Sequence, residues 1–94
     1  MTIRQGRAAM VSEVEFRKMC WRSRRGMLEL DVLLIPFSEG GLRQLSEEDQ
    51  RTYVRLLDRE DPQLLQWFSR QATPADTEMA RVVELILGWI KGES

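Results

Sequence analysis

MLELDVLLIPF, residues 27–37, is almost wholly apolar, and only Glu29 and Asp31 are polar in it before Pro36. A helix that is apolar on nearly all sides belongs in the middle of a bundle. A short apolar run is also compatible with a buried strand. Helix is favoured because nothing else in the chain offers a partner strand. The sequence therefore predicts a central helix over residues 27–37, followed by a loop at residues 38–41.

Four more helices are predicted around this stretch, each from a start signal followed by apolar residues at helical spacing. The start signals are, in chain order, Ser12 with Glu15, Ser46 with Asp49, Asp61-Pro62 and Thr73-Pro74. The first helix should end near Arg25-Gly26, because glycine readily adopts the left-handed conformation that closes a helix. The helix that starts at Ser46 should run to about Arg59. The sequence thus predicts an all-α fold, a compact five-helix bundle in a single domain.

Length and composition indicate one soluble domain. The chain has 94 residues, of which 43% are hydrophobic, enough for a modest core. No apolar run approaches the roughly 20 residues that cross a bilayer, so no membrane insertion is expected. The single cysteine, Cys20, suits a reducing compartment, and the cytoplasm is the expected location. Residues 1–11 are predicted to be a flexible N-terminal extension and residues 12–91 the helical domain.

The charges are unevenly distributed. Residues 1–25 carry seven basic and two acidic side chains, a net of +5, although the whole chain has a formal net charge of -1. A basic region on an acidic body can steer association with an anionic partner, and a solvated helix face is the plainer interpretation. The sequence pI near 5.5 argues against a nucleic-acid-binding module.

The residue inventory argues against an enzyme. The chain has no histidine, which is the usual general base at neutral pH and the commonest metal ligand. Cys20 alone makes a poor nucleophile and cannot supply a zinc site. Gly40-Gly41 lacks the spacing of a nucleotide-binding loop. We therefore expect neither catalytic residues nor a metal site.

One cluster has features that a core does not require, and it consists of Arg24, Arg25, Gly26, Glu29 and Asp31. Arg25 and Glu29 are four residues apart and would share a face on a continuous helix. Burial of an unpaired carboxylate is costly. Glu29 and Asp31 must therefore pair internally, reach solvent or contact a partner. An internal Arg25–Glu29 ion pair that joins two helices is one explanation, and a docking surface is the other.

Two kinds of role are open to the aromatic residues. Trp21 lies among arginines, and it could anchor an interface, where tryptophan is enriched, or belong to the core. The interface role is favoured. Trp67, Trp89 and Tyr53 follow apolar stripes and are predicted to be core residues.

Arg25-Gly26-Met27-Leu28-Glu29 matches the RGxxE motif of the SdhE family of flavinylation assembly factors. The resemblance covers roughly residues 13–90. Further matching residues are Leu45-Ser46, Leu56-Leu57, Asp61-Pro62, Leu65, Trp67 and Pro74-Ala75-Asp76. The chain departs from the family at Ser38, where relatives often have an aromatic residue, and in its first ten or so residues.

The resemblance implies both a fold and a role. The fold would be a compact five-helix bundle. The chain would bind the flavoprotein subunit of succinate dehydrogenase or fumarate reductase and promote covalent attachment of FAD to a histidine of that subunit. It would itself be a monomer that binds no cofactor tightly. The partner-binding residues would be Arg24, Arg25, Gly26, Glu29 and Asp31. An antitoxin-like regulatory protein-binding role, also assigned to relatives of this family, is the alternative.

Overall fold

The computed structural model describes residues 12–92, and these form five α-helices joined by short connections. The helices are α1 (Glu13–Arg22), α2 (Leu28–Gly40), α3 (Glu47–Leu57), α4 (Asp61–Phe68) and α5 (Thr77–Ile90), with a 3₁₀ turn at Leu42–Gln44. The described residues contain no strand, and the predicted all-α five-helix bundle is confirmed. None of their helices has the length and apolar character to span a membrane. The predicted extension, residues 1–11, lies outside the described residues.

Helix α2 is the centre of the bundle, because it packs against α1, α4, α5 and the 3₁₀ turn. Its buried face consists of Leu30, Leu34 and Phe37, each at most 1% exposed. The prediction of a helix rather than a strand is therefore confirmed. The predicted boundary is wrong, because α2 continues through Pro36 to Gly40 and residues 38–40 are helical rather than a loop. Pro36 lies on the exposed side of α2. Because proline has no backbone N–H, it cannot bond the carbonyl one turn earlier in the helix.

The expectation that α2 is buried on nearly all sides is also wrong. Leu28 and Val32 are 73% and 54% exposed. The two side chains lie one turn apart, on the side of the helix that faces away from Leu30 and Leu34. The neighbouring helices therefore cover only part of α2, and the N-terminal half of this helix presents an apolar strip to solvent.

Two of the four predicted helix starts are confirmed. The hydroxyl of Ser12 accepts a hydrogen bond from the backbone N–H of Glu15 at 3.1 Å, and that of Ser46 accepts one from Asp49 at 3.1 Å. The serine hydroxyls thus satisfy N–H groups that the first turns of α1 and α3 leave without helical partners.

The two proline-based starts differ from the prediction in position. Helix α4 is preceded by Glu60 as its N-cap, so that Asp61 is its first residue and the proline its second. Helix α5 begins at Thr77, three residues after Pro74, because the carboxylate of Asp76 accepts hydrogen bonds from two N–H groups of its first turn. An aspartate at the N-cap both bonds these donors and complements the positive end of the helix dipole.

Helix α1 ends at Arg22, earlier than predicted, because Ser23 closes it. The Ser23 hydroxyl is fully buried and donates to the carbonyl of Met19 at 2.7 Å. The Tyr53 hydroxyl lies 2.6 Å from the hydroxyl oxygen of Ser23. Since the Ser23 proton is used by the carbonyl, Tyr53 donates to Ser23, and the pair links α1 to α3. Burial raises the pKa of Tyr53 to about 12, because the low dielectric disfavours the phenolate.

The Gly40-Gly41 pair serves packing at the end of α2. A Cβ atom on Gly40 would lie 2.7 Å from the ring of Trp89, and one on Gly41 would lie 2.6 Å from the ring of Phe37. The absence of both side chains lets Trp89 meet Phe37 edge to face, with ring centroids 5.6 Å apart. Of the predicted core aromatics, Tyr53 and Trp67 are buried, and Trp89 is partly exposed but packs against the core.

Ser38 is buried, and its side chain and backbone each make a hydrogen bond. Its hydroxyl donates to the carbonyl of Ile35 at 2.8 Å, and its own carbonyl accepts from the Cys20 thiol at 3.4 Å. Cys20 is partly buried against the core. It contributes to the α1–α2 contact as a small apolar residue with a weak donor.

Tyr53→Phe is expected to change the pH dependence of stability. At neutral pH the variant loses the hydrogen bond to Ser23 and should be about 1 kcal/mol less stable than the unchanged protein. The folded-state pKa of Tyr53 is raised to about 12 from 10.0, so its stabilisation is complete below pH 10 and is lost as the pH rises through the folded value. That loss amounts to about 3 kcal/mol. Denaturant unfolding between neutral pH and pH 12 measures it.

The order of stability should therefore reverse, with the phenylalanine variant the more stable at the alkaline end. Lysine and arginine titrate in both proteins and largely cancel in the difference. Tyr53 is the only tyrosine of the chain, so the absorbance of tyrosinate reports its titration directly. A difference in unfolding free energy that stays constant with pH would contradict the assignment.

Candidate partner-binding site

The α1–α2 turn, residues 23–27, positions the predicted site residues. Gly26 has a φ of +85° and is exposed, and a Cβ atom there would meet nothing within 4 Å. Glycine is therefore favoured by the left-handed backbone conformation and not by lack of space. This conformation reverses the chain between α1 and α2 and leaves the backbone of Gly26 open to an approaching molecule.

Asp31 holds this turn from inside the chain. Its carboxylate accepts hydrogen bonds from the backbone N–H groups of Arg25, at 2.7 Å, and Gly26, at 3.2 Å. Asp31 lies in the first turn of α2, whose N-cap, Met27, makes no side-chain capping bond. The sequence left open whether the two carboxylates of this helix pair internally, reach solvent or contact a partner. The Asp31 carboxylate is bonded internally.

Arg25 connects the α1–α2 turn to the connection between α3 and α4. Its Nε donates to Asp61 Oδ1 at 2.8 Å, and its two terminal nitrogens donate to the carbonyls of Leu57 and Arg59, each at 2.7 Å. The carbonyls at the end of a helix lack helical partners and carry the negative end of its dipole. The planar guanidinium suits three acceptors in different directions. Only 14% of the Arg25 side chain is exposed.

The Arg25–Glu29 ion pair considered from the sequence is wrong, because the carboxylate that pairs with Arg25 is that of Asp61. The spacing argument assumed a continuous helix. Helix α1 ends at Arg22 and α2 begins at Leu28, so residues 25 and 29 do not share a helical face. The interruption turns Arg25 toward α3 and α4 and leaves Glu29 on the outside.

Glu29 lies at the centre of an exposed surface on the N-terminal turns of α2. Among the described residues, its carboxylate has no ion pair and no hydrogen bond. Leu28 and Val32 flank it, and Gly26 lies just before it in the chain. We call these four residues, Gly26, Leu28, Glu29 and Val32, the Gly26 surface. It combines two exposed apolar side chains, one unpaired carboxylate and an accessible backbone segment, features that occur at protein-binding surfaces.

The five predicted site residues therefore divide into two groups. Arg24, Gly26 and Glu29 are exposed, whereas Arg25 and Asp31 are used by internal bonds. Their assignment as partner contacts stays a prediction. Sequence reasoning missed Leu28 and Val32, which it placed in the core, and it missed Asp61 as the partner of Arg25. The Asp61-Pro62 signal marked a helix start, but a start signal does not indicate which distant cation the aspartate meets.

The described residues offer little to a tightly bound cofactor or metal ion. They contain no group of three or more cysteine and carboxylate residues that could hold a metal. The glycine pair at residues 40–41 packs closely against the rings of Trp89 and Phe37. The absence of side chains at this pair thus serves packing.

Asp61→Asn is expected to lower the unfolding free energy by about 1–3 kcal/mol, because it removes the charge that faces the nearly buried Arg25 guanidinium. Asp58→Asn is the matched control. Asp58 lies three residues before Asp61 and pairs with Arg22, but the side chains of Asp58 and Arg22 are 65% and 39% exposed. Such an exposed pair contributes about 0–1 kcal/mol. Denaturant unfolding at neutral pH compares the variants. Equal losses would show that Arg25 does not join the two turns.

Comparison with known proteins agrees with the resemblance in the sequence. Residues 17–89 match the family Sdh5, described as the flavinator of succinate dehydrogenase. The chain is 46% identical over 78 residues to the FAD assembly factor SdhE of Pseudomonas putida, an alignment that covers 83% of this chain and 93% of the relative.

Relatives from other genera give similar values. The FAD assembly factor SdhE of Colwellia psychrerythraea is 46% identical over 79 residues, covering 84% of this chain and 87% of the relative. That of Shewanella oneidensis is 47% identical over 68 residues, covering 72% and 83%. Each alignment spans most of this chain and most of the relative, and the identity is high enough to show the family. The chain therefore belongs to the Sdh5 family, the flavinators of succinate dehydrogenase, together with the SdhE proteins.

Proposed function

We propose that this chain is an assembly factor that binds the flavoprotein subunit of succinate dehydrogenase or fumarate reductase and promotes covalent attachment of FAD to it. The observation that carries the proposal is the Gly26 surface, which is exposed and lies on a turn fixed by Arg25 and Asp31. Relatives at 44–47% identity are FAD assembly factors. This supports the assembly-factor role over the antitoxin-like alternative.

The Gly26 surface can bind a partner in three ways. Leu28 and Val32 together offer exposed apolar area, whose burial is favourable at roughly 25 cal/mol per Å². The unpaired carboxylate of Glu29 can accept charge-assisted hydrogen bonds from an arginine or from backbone N–H groups of the flavoprotein. Gly26 has no side chain, so the backbone of the partner can come close to it.

Arg25 and Asp31 act in this proposal by positioning, not by contact. Their polar atoms are occupied by Asp61, by two carbonyls of the α3–α4 connection and by two N–H groups of the turn. A turn held in its binding conformation loses less entropy when the partner arrives. The fixed turn therefore raises affinity without Arg25 itself touching the flavoprotein.

The chain contributes geometry to flavinylation, and the reacting groups belong to the partner. It has no histidine, so the acceptor histidine must lie in the flavoprotein, and FAD is held there as well. If the assembly factor binds one conformation of the flavoprotein more tightly, it raises the population of that conformation. A conformation that brings flavin and histidine into near-attack geometry can lower the barrier by several kcal/mol, up to about 7–11. The role requires no catalytic residue in this chain.

Three further expectations accompany this role. The protein would act as a monomer in the cytoplasm. The net charge of -1 disfavours a polyanionic nucleic acid as partner. The client, whether succinate dehydrogenase or fumarate reductase, is identified by co-purification with each flavoprotein subunit.

Glu29→Ala is expected to reduce covalent flavin on the co-expressed flavoprotein subunit about tenfold, because it removes the charged acceptor of the Gly26 surface. Gly26→Arg should have at least the same effect, since it fills the open backbone segment. In-gel flavin fluorescence of the denatured subunit measures both. Glu48→Ala is the matched control, because Glu48 is also an exposed carboxylate in the first turn of a helix and has no ion pair among the described residues.

Circular dichroism and unfolding of each variant separate loss of binding from loss of fold. Gly26→Asn provides a second check, because asparagine tolerates a positive φ and keeps the turn while adding a side chain. Wild-type flavin levels with both Glu29→Ala and Gly26→Arg would exclude the Gly26 surface as the docking site.

A further inference from the structure

Helix α1 presents a second exposed surface that the Gly26 surface does not include. Trp21 is 74% exposed and Val14 61%. The two residues are seven apart and thus share one face of the helix. Arg17 and Lys18 lie between them on the same face, and all four line one shallow depression. With Arg24, which lines a second groove together with Trp21 and Arg17, we call these five residues the Trp21 surface.

The basic side chains of the Trp21 surface are unusual in having no carboxylate partner. Seven of the twelve described lysine and arginine residues form ion pairs within the chain. In the described part of the chain, the five without one are Arg17, Lys18, Arg24, Arg59 and Lys91. Three of these five belong to the Trp21 surface. Their charges are therefore available to an external anion.

The acidic residues next to this surface offset its charge only in part. Glu13 and Glu39 line the groove shared by Trp21 and Arg24. Glu13 is bound by Arg43, which holds the pKa of the Glu13 carboxyl below its usual value. Glu39 remains beside Arg17 and Arg24, and Glu15 lines a neighbouring groove with Lys18, so two carboxylates without an ion pair among the described residues lie near three cations. The depression around Val14 and Trp21 has no acidic lining residue.

We infer that the Trp21 surface is a second contact site for the flavoprotein subunit, and that it takes an acidic segment of that protein with an apolar pocket for the Trp21 ring. Tryptophan and arginine are the residues most enriched among those that dominate protein interfaces. Arg24 immediately precedes the Arg25–Gly26 turn, so one partner can cover both surfaces. The inference rests on the proposed function and adds the chemistry of the partner to it.

A macromolecular polyanion fits the Trp21 surface less well than an acidic protein. Binding to a nucleic acid backbone depends on many phosphate contacts, and this surface has three free cations on a chain with a net charge of -1. An anionic lipid surface attracts helices with a broad apolar face, and here that face consists of two side chains. A discrete interface with one aromatic anchor requires neither feature.

The test is the dissociation constant between the full chain and the purified flavoprotein subunit, measured at low and at physiological ionic strength. Trp21→Ala is expected to weaken binding about 30-fold at both, as for a central aromatic anchor, and Trp21→Phe should restore much of it. Arg17→Glu should weaken binding about tenfold at low ionic strength and less at higher salt, because exposed charges are screened. Lys91→Glu, a change to the same charge at an exposed position after α5 that has no ion pair among the described residues, should stay within about twofold.

The outcomes separate this inference from the proposed function. If Glu29→Ala weakens binding while Trp21→Ala and Arg17→Glu bind like the unchanged protein, the Trp21 surface is not a contact site and the proposed function stands. If the unchanged chain does not bind the subunit at all, both fail. Binding of vesicles of anionic phospholipid or of a short RNA that depends on Trp21, without such dependence for the flavoprotein, would assign the surface to another partner and overturn the inference.

Discussion

The contacts of one guanidinium group organise this bundle around its candidate site. Arg25 leaves the turn between α1 and α2 and bonds to Asp61 and to two carbonyls at the end of α3. Both connections are short, and Asp31 also holds the first of them through the backbone N–H groups of Arg25 and Gly26. Because the arginine joins them in a nearly buried position, the position of one turn depends on that of the other. Together with the Asp31 hydrogen bonds, this link fixes the turn that contains Gly26 and leads into the first turn of α2, on which Glu29 is exposed.

The five residues from Arg25 to Glu29 therefore combine two structural roles. Its arginine is directed inward, where it joins elements that are distant in sequence. Its glycine provides a backbone conformation that other residues adopt at a cost, and its glutamate remains in solvent. The inward residue fixes the shape of the surface, and the outward ones give it chemistry. For the docking site that we propose, substitution of the inward residue would change the shape of the surface, and substitution of an outward one would remove a contact.

The sequence predicted the architecture well, because helix starts and apolar periodicity are local signals. Ser12 and Ser46 cap their helices as expected, and the apolar stretch at residues 27–37 forms the central helix. The exposure of Leu28 and Val32 could not be predicted, because composition does not reveal how far neighbouring helices cover a central one.

The site itself was only partly predictable. The cluster at residues 24–31 stood out because it combines charge, glycine and apolar residues in a way that a core does not need. The partner of Arg25 was assigned to Glu29 by helical spacing, and the structure places it at Asp61, 36 residues away. Periodicity describes neighbours within one helix, whereas this contact depends on how two connections approach each other in the folded chain. The start of α5 was predicted at Thr73-Pro74, whereas Asp76 is its N-cap. The local signal was ambiguous, because a proline two residues before an aspartate is also compatible with a turn that precedes the helix.

The way Arg25 is bound has an evolutionary consequence. Two of its three acceptors are main-chain carbonyls, which any amino acid at positions 57 and 59 supplies equally well. Substitutions at positions 57 and 59 therefore leave these two hydrogen bonds of Arg25 unchanged. Position 61, in contrast, must retain a carboxylate for as long as position 25 retains a guanidinium. In an alignment of homologues this link would be recorded as covariation between positions 25 and 61 alone, although the guanidinium spans three residues of the neighbouring turn.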